Sequence, residues 1–349
     1  MKKIAVVSHG TSGGGAERVS TILANYLVQQ GYEVYFYAVY SDKRGYYLNE
    51  KIHYEYCSVT GKIGLVRQIQ RCFKVRKFIL KNKIETMYSF LGREAMLLVG
   101  NHKLKKIHSL RNDPNRVFNK GFQKIIRDVV YADADNVVFQ TPDGRAYFSE
   151  KIQEKGVVIP NPLKPDLPYW NPEKHEKVII AAGRLDAQKN FQMLLEAFKM
   201  FSEKIDGYIL RIFGDGELKE DLTNYAQSLG IGNKVEFPGF SNDIHQKMIE
   251  SEIYVSSSDY EGVSNSMLEA LAIGIPSVCT DCPVGGPKMF IQDGKSGFLT
   301  PVGDAQKLAE KLITLAEDKE LQKKFSESSV SIRETLDVER ICNEWLKLV

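Results

Sequence analysis

Five features of this 349-residue chain have types and spacings suited to chemistry: two cations, Arg184 and Lys189, two acids, Glu261 and Glu269, and a glycine-rich run, Gly10-Thr11-Ser12-Gly13-Gly14-Gly15-Ala16-Glu17-Arg18. Glycines let backbone N–H groups approach a phosphate, and a helix beginning there favours its charge. The run is neither GxGxxG nor followed by a Walker lysine, which weakens a dinucleotide or P-loop reading and leaves a plain tight turn as the bland alternative. In Gly183-Arg184-Leu185-Asp186-Ala187-Gln188-Lys189-Asn190 two cations lie between a strand pattern and a helix pattern. Placed so, they are able to hold a leaving diphosphate. A solvated surface pair is the competing account. In Glu261-Gly262-Val263-Ser264-Asn265-Ser266-Met267-Leu268-Glu269 the two acids are eight residues apart, about 12 Å along a helix at ~1.5 Å per residue. That exceeds the ~5–5.5 Å of a retaining glycosidase pair. It suits contacts to opposite ends of one elongated ligand, or a capping acid plus a surface acid.

Metal and thiol chemistry is poorly supported. Cys57, Cys72 and Cys342 stand alone, and the CxxC of Cys279 and Cys282 has no second half to complete a zinc site. These read as ordinary thiols of a reduced, cytoplasmic protein. Asp133-Ala134-Asp135 is a DxD, but it precedes a strand pattern and so falls at the amino edge of a sheet, away from where ligands bind. No metal is expected. Neither a secretion signal nor a run of ~18 apolar residues is visible.

Strand-like apolar runs at Ile4–Ser8, 33–39, 85–89, 106–110 and Asn136–Gln140 alternate with helical stretches. Five prolines within 160–172 then read as a stiff linker. The alternation restarts at 177–182, 208–213, 234–237, 253–256 and 276–279. This is an α/β pattern of two doubly wound domains, 1–165 and 166–333, with a final helix at 334–349 expected to return to the first domain. Open α/β sheets bind ligands beyond the carboxyl ends of their strands, where the cation and acid motifs fall, so the two domains are expected to face one another.

Charge divides along the same line. Residues 1–165 carry 27 Lys+Arg against 14 Asp+Glu, and 166–349 carry 20 against 30. A basic half favours an anionic membrane surface or a phosphorylated acceptor. The stretch Lys62–Lys83 is helix-like, with Arg67, Arg71, Lys74 and Lys81 on one side and Val66, Ile69, Phe73 and Leu80 on the other at about 100° per residue. It is either a solvated face or a dock for anionic headgroups. No aromatic platform accompanies the charge, so nucleic acid is not an expected partner.

Taken together, the motifs resemble those of family-4 retaining glycosyltransferases, in the flavour of bacterial capsular polysaccharide and lipid-linked oligosaccharide enzymes. The resemblance is strongest over 181–303, in Phe213-Gly214-Asp215-Gly216-Glu217, Val235-Glu236-Phe237-Pro238-Gly239-Phe240, the paired acids and Gly285-Gly286-Pro287. It extends to Ser109-Leu110-Arg111-Asn112-Asp113-Pro114 and Val138-Phe139-Gln140-Thr141. It implies the GT-B architecture, a nucleotide diphosphate sugar donor, expected to be a UDP-sugar, and transfer of a hexose or N-acetylhexosamine to a hydroxyl of a glycan or lipid-linked acceptor, without metal or other cofactor. It assigns Gly14 and Gly15 to the diphosphate and reacting sugar, Arg184 and Lys189 to the diphosphate, Glu261 to donor hydroxyls, and Glu269 to the ribose. Backbone of Val263, Ser264 and Asn265 would face the sugar or phosphates, and backbone near Gly239 and Phe240 the base. Many relatives carry a His where this chain has Arg111, so Arg111 is expected to face the donor sugar and His108 to be a packed histidine. The thiols read as those of a cytoplasmic enzyme, and the basic half together with the lipid-linked acceptors of similar enzymes leads to the expectation that it is peripheral on the inner face of the cell membrane. A Rossmann oxidoreductase, a non-catalytic sugar-binding or scaffold protein of this fold, and a nucleotide-sugar epimerase are the alternatives.

Overall fold

The computed structural model describes residues 1–60, 63–117 and 121–349. The chain divides into two compact α/β units, Met1–Pro162 with Val338–Val349, and Leu163–Asp337. The boundaries expected at 165/166 and 333/334 therefore fall at 162/163 and 337/338. Packing explains the shift. Leu163, Leu167 and Trp170, inside the proline-rich stretch, are buried, and the Trp170 indole N–H donates to the Ser251 carbonyl at 2.8 Å. The stretch expected to be a linker is, from Leu163 onward, a strap on the second unit.

The first sheet contains β1 (Lys3–Ser8), β2 (Glu33–Ala38), β3 (His53–Tyr56), β4 (Thr86–Ser89), β5 (Lys105–Leu110), β6 (Asn136–Phe139) and β7 (Gly156–Val158). They run parallel in the order β3-β2-β1-β4-β5-β6-β7. Strands buried on both faces read as unbroken apolar runs, as Ile4-Ala5-Val6-Val7 does. Strand order reverses between β1 and β4. The Gly64–Lys81 helix, the short Arg93–Leu98 helix and the Gly121–Asp133 helix all carry the chain across the sheet in one direction. Right-handed crossovers put them on one face. The Gly15–Gln29 helix carries the chain the other way, and the Val338–Leu346 helix packs beside it. There Trp345 is stacked on Phe90 at 5.6 Å, and the Tyr88 hydroxyl donates to the Trp345 carbonyl at 2.7 Å.

The second sheet contains β8 (Glu176–Ala182), β9 (Ile209–Phe213), β10 (Val235–Gly239), β11 (Ser251–Ser256), β12 (Ser277–Thr280) and β13 (Phe298–Thr300), parallel in the order β10-β9-β8-β11-β12-β13. Its order reverses between β8 and β11. The Asn265–Ile273 helix follows β11 and is buried from Met267 through Ile273, Glu269 included. It ends at Gly274, whose φ of 87° is the left-handed cap that glycine adopts without strain.

The basic helix has a third face that the two-sided wheel did not resolve. Lys62 lies outside the described residues. Within Gly64–Lys81 the face turned to the core is Val75, Phe78 and Ile79, whereas Val66, Ile69, Phe73 and Leu80 are exposed. Among the described residues no helix is long and apolar enough to cross a membrane.

Candidate functional site

The two loops that leave β8 and β11 emerge at the reversal of the second sheet, the point where an open α/β sheet forms a crevice. Backbone and side-chain bonds join them. The Asp259 amide donates to the Gln188 carbonyl at 2.9 Å, the Ser257 hydroxyl to the Lys189 carbonyl at 2.8 Å, and the Asn190 side-chain amide to Asp259 at 2.6 Å. Asn190 also caps the Phe191–Ser202 helix, its Oδ1 accepting from the Met193 amide. On this frame the Lys189 ammonium meets the Glu261 carboxylate at 2.5 Å, with both side chains largely buried. A third loop fixes Glu261 from behind. The Glu261 amide donates to the Pro283 carbonyl at 2.7 Å, and the Val284 amide donates back to Glu261 at 3.0 Å. Gly286 is required here, since a Cβ at that position would lie 1.8 Å from the Gly262 carbonyl oxygen.

Arg184 lies on the same turn but reaches outward. It is 69% exposed on its side chain and pairs with Asp186 at 3.3 Å. Val263, Ser264 and Asn265 form the entry to the buried helix, and Ser264 is its N-cap residue. The Ser266 hydroxyl anchors that entry to the Ala182 carbonyl at the end of β8, at 3.0 Å. Glu269, one turn on, is buried, and its carboxylate contacts the His245 Nε2 at 2.9 Å. Gly239 ends β10 with a φ of 87°, and Phe240 after it is exposed.

Cys279 and Cys282 are buried free thiols at the end of β12. Burial, reinforced by the Glu261 charge, pushes the Cys282 thiol up to about 12, and burial raises Cys279 strongly as well. Thiols held protonated at neutral pH are poor nucleophiles.

In the first unit, Gly14 is the N-cap of the Gly15–Gln29 helix in extended conformation, and a Cβ on it would meet only the flexible Glu17 carboxylate. Arg111 follows β5 directly. Its guanidinium donates to the Ile159 carbonyl at 3.1 Å and to the Asn161 side-chain oxygen, and burial pushes it down to about 9. Two of its donors therefore hold the segment that leaves the unit. His108 is buried in β5, stacked with Tyr131 at 5.8 Å, and burial with Lys106 nearby pushes it down to about 4. The acids of the DxD lie at the amino edge of β6. Asp133 pairs with the buried Lys106 ammonium at 2.6 Å, and Asp135 accepts the Lys106 amide at 2.7 Å.

The carboxyl edge of the first sheet also gathers His9, Tyr40, Gln68 and Glu94, which the sequence reading did not single out, beside Arg71 of the basic helix. The Tyr40 hydroxyl donates to the buried Glu94 at 2.5 Å, Gln68 donates to the same oxygen at 2.8 Å, His9 stacks on the Tyr40 ring at 4.9 Å, and the Arg71 guanidinium lies over that ring at 4.1 Å. Arg71 thus turns inward, away from the other cations of its helix. His245 was missed as well. A lone histidine 24 positions before its partner leaves no local signal.

Residues 168–330 match the model of the family described as Glycosyl transferases group 1. The chain is 28% identical to an uncharacterized glycosyltransferase of Haemophilus influenzae, covering 99% of each chain. It is 25% identical, again over 99% of each, to the N-acetylgalactosamine-N,N'-diacetylbacillosaminyl-diphospho-undecaprenol 4-alpha-N-acetylgalactosaminyltransferase of Campylobacter jejuni. Its fold is similar to that of S. aureus TarM, solved with fondaparinux, alpha-GlcNAc-glycerol and UDP, with a TM-score of 0.80 at 14% identity over 100% of this chain and 99% of that one. The architecture is the pair of parallel-sheet, Rossmann-like domains found in GT-B glycosyltransferases. These matches support a glycosyltransferase enzyme.

Proposed function

We propose that the protein is a retaining glycosyltransferase that moves a hexose or N-acetylhexosamine from a UDP-sugar to a hydroxyl of a glycan or lipid-linked glycan in cell-surface polysaccharide synthesis. The observation that carries this reading is the Lys189–Glu261 pair, fixed by three loops at the reversal of the second sheet. Breaking the anomeric C–O bond releases a dianionic diphosphate and leaves an oxocarbenium-like centre. A lysine held beside the crevice stabilises the departing charge without having to move during the reaction. Arg184, more exposed, adds charge from the same turn. Glu261 is placed to accept from donor-sugar hydroxyls while keeping Lys189 oriented. Glu269, held by His245, takes the ribose hydroxyls. The first-turn N–H groups of the Asn265–Ile273 helix favour anionic oxygen at its entry. Arg111 adds positive potential at the end of β5. In this reading the leaving phosphate accepts the acceptor proton on the face it departs from, so no metal or enzymic general base is required.

The names of the relatives support a lipid-linked or polysaccharide acceptor, and the basic first half supports an anionic acceptor or membrane surface on the inner face of the cell membrane. The test is nucleotide release from UDP-, GDP- and ADP-sugars, with and without undecaprenyl-diphosphate-linked acceptors, followed by NMR of the product's anomeric configuration. An α-linked product from an α-linked donor, formed in EDTA, is expected. An inverted product, or sugar binding with no transfer to any acceptor, refutes the reading.

A further inference from the structure

We propose that Tyr46 is a positioning residue of the transferase: from the turn after β2 it grips the glycine-rich loop by two carbonyl oxygens and so keeps the Gly15 N–H available to an anionic diphosphate. This deepens the transferase reading given above and rests on it, because that reading brings Gly14 and Gly15 to the diphosphate and the reacting sugar.

Residues 41–46 interlock with the loop that follows β1. The Tyr46 main-chain amide donates to the Thr11 carbonyl at 2.7 Å, and the Tyr46 hydroxyl donates to the Gly14 carbonyl at 3.4 Å. In return the buried Thr11 hydroxyl donates to the Lys43 carbonyl at 3.3 Å. The two segments touch so closely that a Cβ on Gly45 would lie 2.6 Å from the Ser12 Cβ, and one on Gly10 would lie 2.8 Å from the Ser41 carbonyl oxygen. The turn is fastened on its other side by the edge strand. The Tyr54 hydroxyl in β3 donates to Asp42 at 2.7 Å, and the Arg44 guanidinium lies over the Tyr54 ring at 3.3 Å.

Peptide geometry turns this grip into an aim. A trans peptide is planar, so its C=O and N–H point in opposite directions. The Gly14 carbonyl shares its plane with the Gly15 N–H. That carbonyl is held by the Tyr46 hydroxyl and by the Arg18 amide at 3.2 Å, so the Gly15 N–H faces away from both. Among the described residues the amides of Gly13, Gly14 and Gly15 donate to no protein acceptor. Three successive glycines restrain their own backbone least of all residues. Holding them by their carbonyls removes an ordering cost that ligand binding would otherwise meet.

Full-length Tyr46→Phe, Tyr46→Ala and Gly45→Ala test this, with Tyr47→Ala as the control, since the Tyr47 side chain next to it is exposed. Tyr46→Phe keeps the ring and loses only the hydroxyl, and is expected to lower kcat about three- to tenfold with an unchanged melting temperature. Tyr46→Ala and Gly45→Ala, which loosen the whole turn, should lose more. Calorimetry with UDP and with UMP supplies the readout that packing alone would not move: the preference for UDP should shrink in step with kcat, because the loop is aimed at the diphosphate. Tyr47→Ala should match wild type in both measurements. Wild-type transfer together with unchanged kcat and UDP preference in all the Tyr46 and Gly45 variants overturns the positioning role alone. A joint fall of melting temperature and kcat with the UDP preference intact overturns it as well, and makes Tyr46 a packing residue. Losses at Tyr47→Ala equal to those at Tyr46→Ala overturn it in favour of a general sensitivity of the turn. No nucleotide release by the wild type from any nucleotide sugar overturns the transferase reading and this inference with it.

Discussion

Both sheets reverse their strand order beside their first strand, yet polar side chains are used differently at the two reversals. In the second unit, opposite charges meet: Lys189 and Glu261 are held at 2.5 Å by three loops bonded to one another through their backbones. In the first, one oxygen of the buried Glu94 accepts from the Tyr40 hydroxyl and the Gln68 amide, with Arg93 at 3.3 Å, while its other oxygen has no hydrogen-bond partner among the described residues. The surrounding surface is basic and apolar. A departing diphosphate needs a cation fixed in advance, because reorganisation during bond breaking would add to the barrier. A surface that receives a large, soft partner needs area and charge more than fixed geometry. On the proposed transferase reading, the charge-stabilising step belongs to the second reversal.

The largest effect that would break this contrast is at Lys189. Lys189→Ala should lower kcat by about 10²–10³, comparable to losing one oxyanion donor. Tyr40→Phe, which removes a hydrogen bond at the first reversal, should leave UDP affinity within about twofold. Steady-state kinetics and calorimetry on folded variants check both, and equal losses at the two positions would dissolve the distinction. Arg184→Ala should cost less than Lys189→Ala, since its guanidinium is mostly exposed and screened.

A smaller effect, on stability, sharpens the contrast between the two edges of the first sheet. Burial pushes the Asp133 carboxyl up, but the Lys106 ammonium and the Gly100 amide outweigh it and hold the group below the ordinary carboxylate range. A lowered folded pKa contributes stability that is present above the unfolded value and is lost as pH falls through the folded one. Asp133→Asn should therefore destabilise by about 1–3 kcal/mol at neutral pH, and the difference should vanish in acid. Chemical denaturation at several pH values measures it. Transfer activity of the wild type should be unchanged in EDTA. Restoration of lost activity by Mn²⁺ or Mg²⁺ after chelation would return the two aspartates to the role of metal ligands.

Much of this was legible in the sequence for one physical reason. Central strands of a parallel sheet are buried on both faces and appear as apolar runs, so β1, β5, β8 and β11 were each found within a few residues. The strands not found, β3, β7 and β13, are edges of the sheets. An edge strand has one neighbour and little apolar signal, as exposed His53, Glu55 and Tyr56 illustrate. The site divides similarly. Arg184, Lys189, Glu261 and Glu269 stood out because each sits in a local motif at a strand end. Their partners did not, because the Asn190–Asp259 and His245–Glu269 contacts arise only when distant segments fold together. The basic helix was read only as two sides; that its core face is the separate set Val75, Phe78 and Ile79, with Phe73 and Leu80 turned to solvent, depends on how it lies on the sheet.

The smallest expected effect falls on His245, and it asks whether the second reversal extends its preorganisation to the far end of the donor. Glu269 is nearly buried, and its Oε2 lies 2.9 Å from the His245 Nε2. If the acid accepts the ribose hydroxyls, the imidazole fixes the carboxylate's rotamer and leaves its lone pairs aimed at the crevice. His245→Ala should then weaken UDP binding by about tenfold, roughly 1.4 kcal/mol, with kcat at saturating donor little changed. His245→Asn, which retains a donor, should recover part of the loss. A merely structural histidine would lower stability and kcat together. A double-mutant cycle separates the accounts. If His245 acts through Glu269, its deletion should have no further effect on UDP affinity once Glu269→Ala has been made, whereas independent roles would give additive losses. Additivity within about 0.3 kcal/mol would show that the imidazole and the carboxylate serve the nucleotide separately.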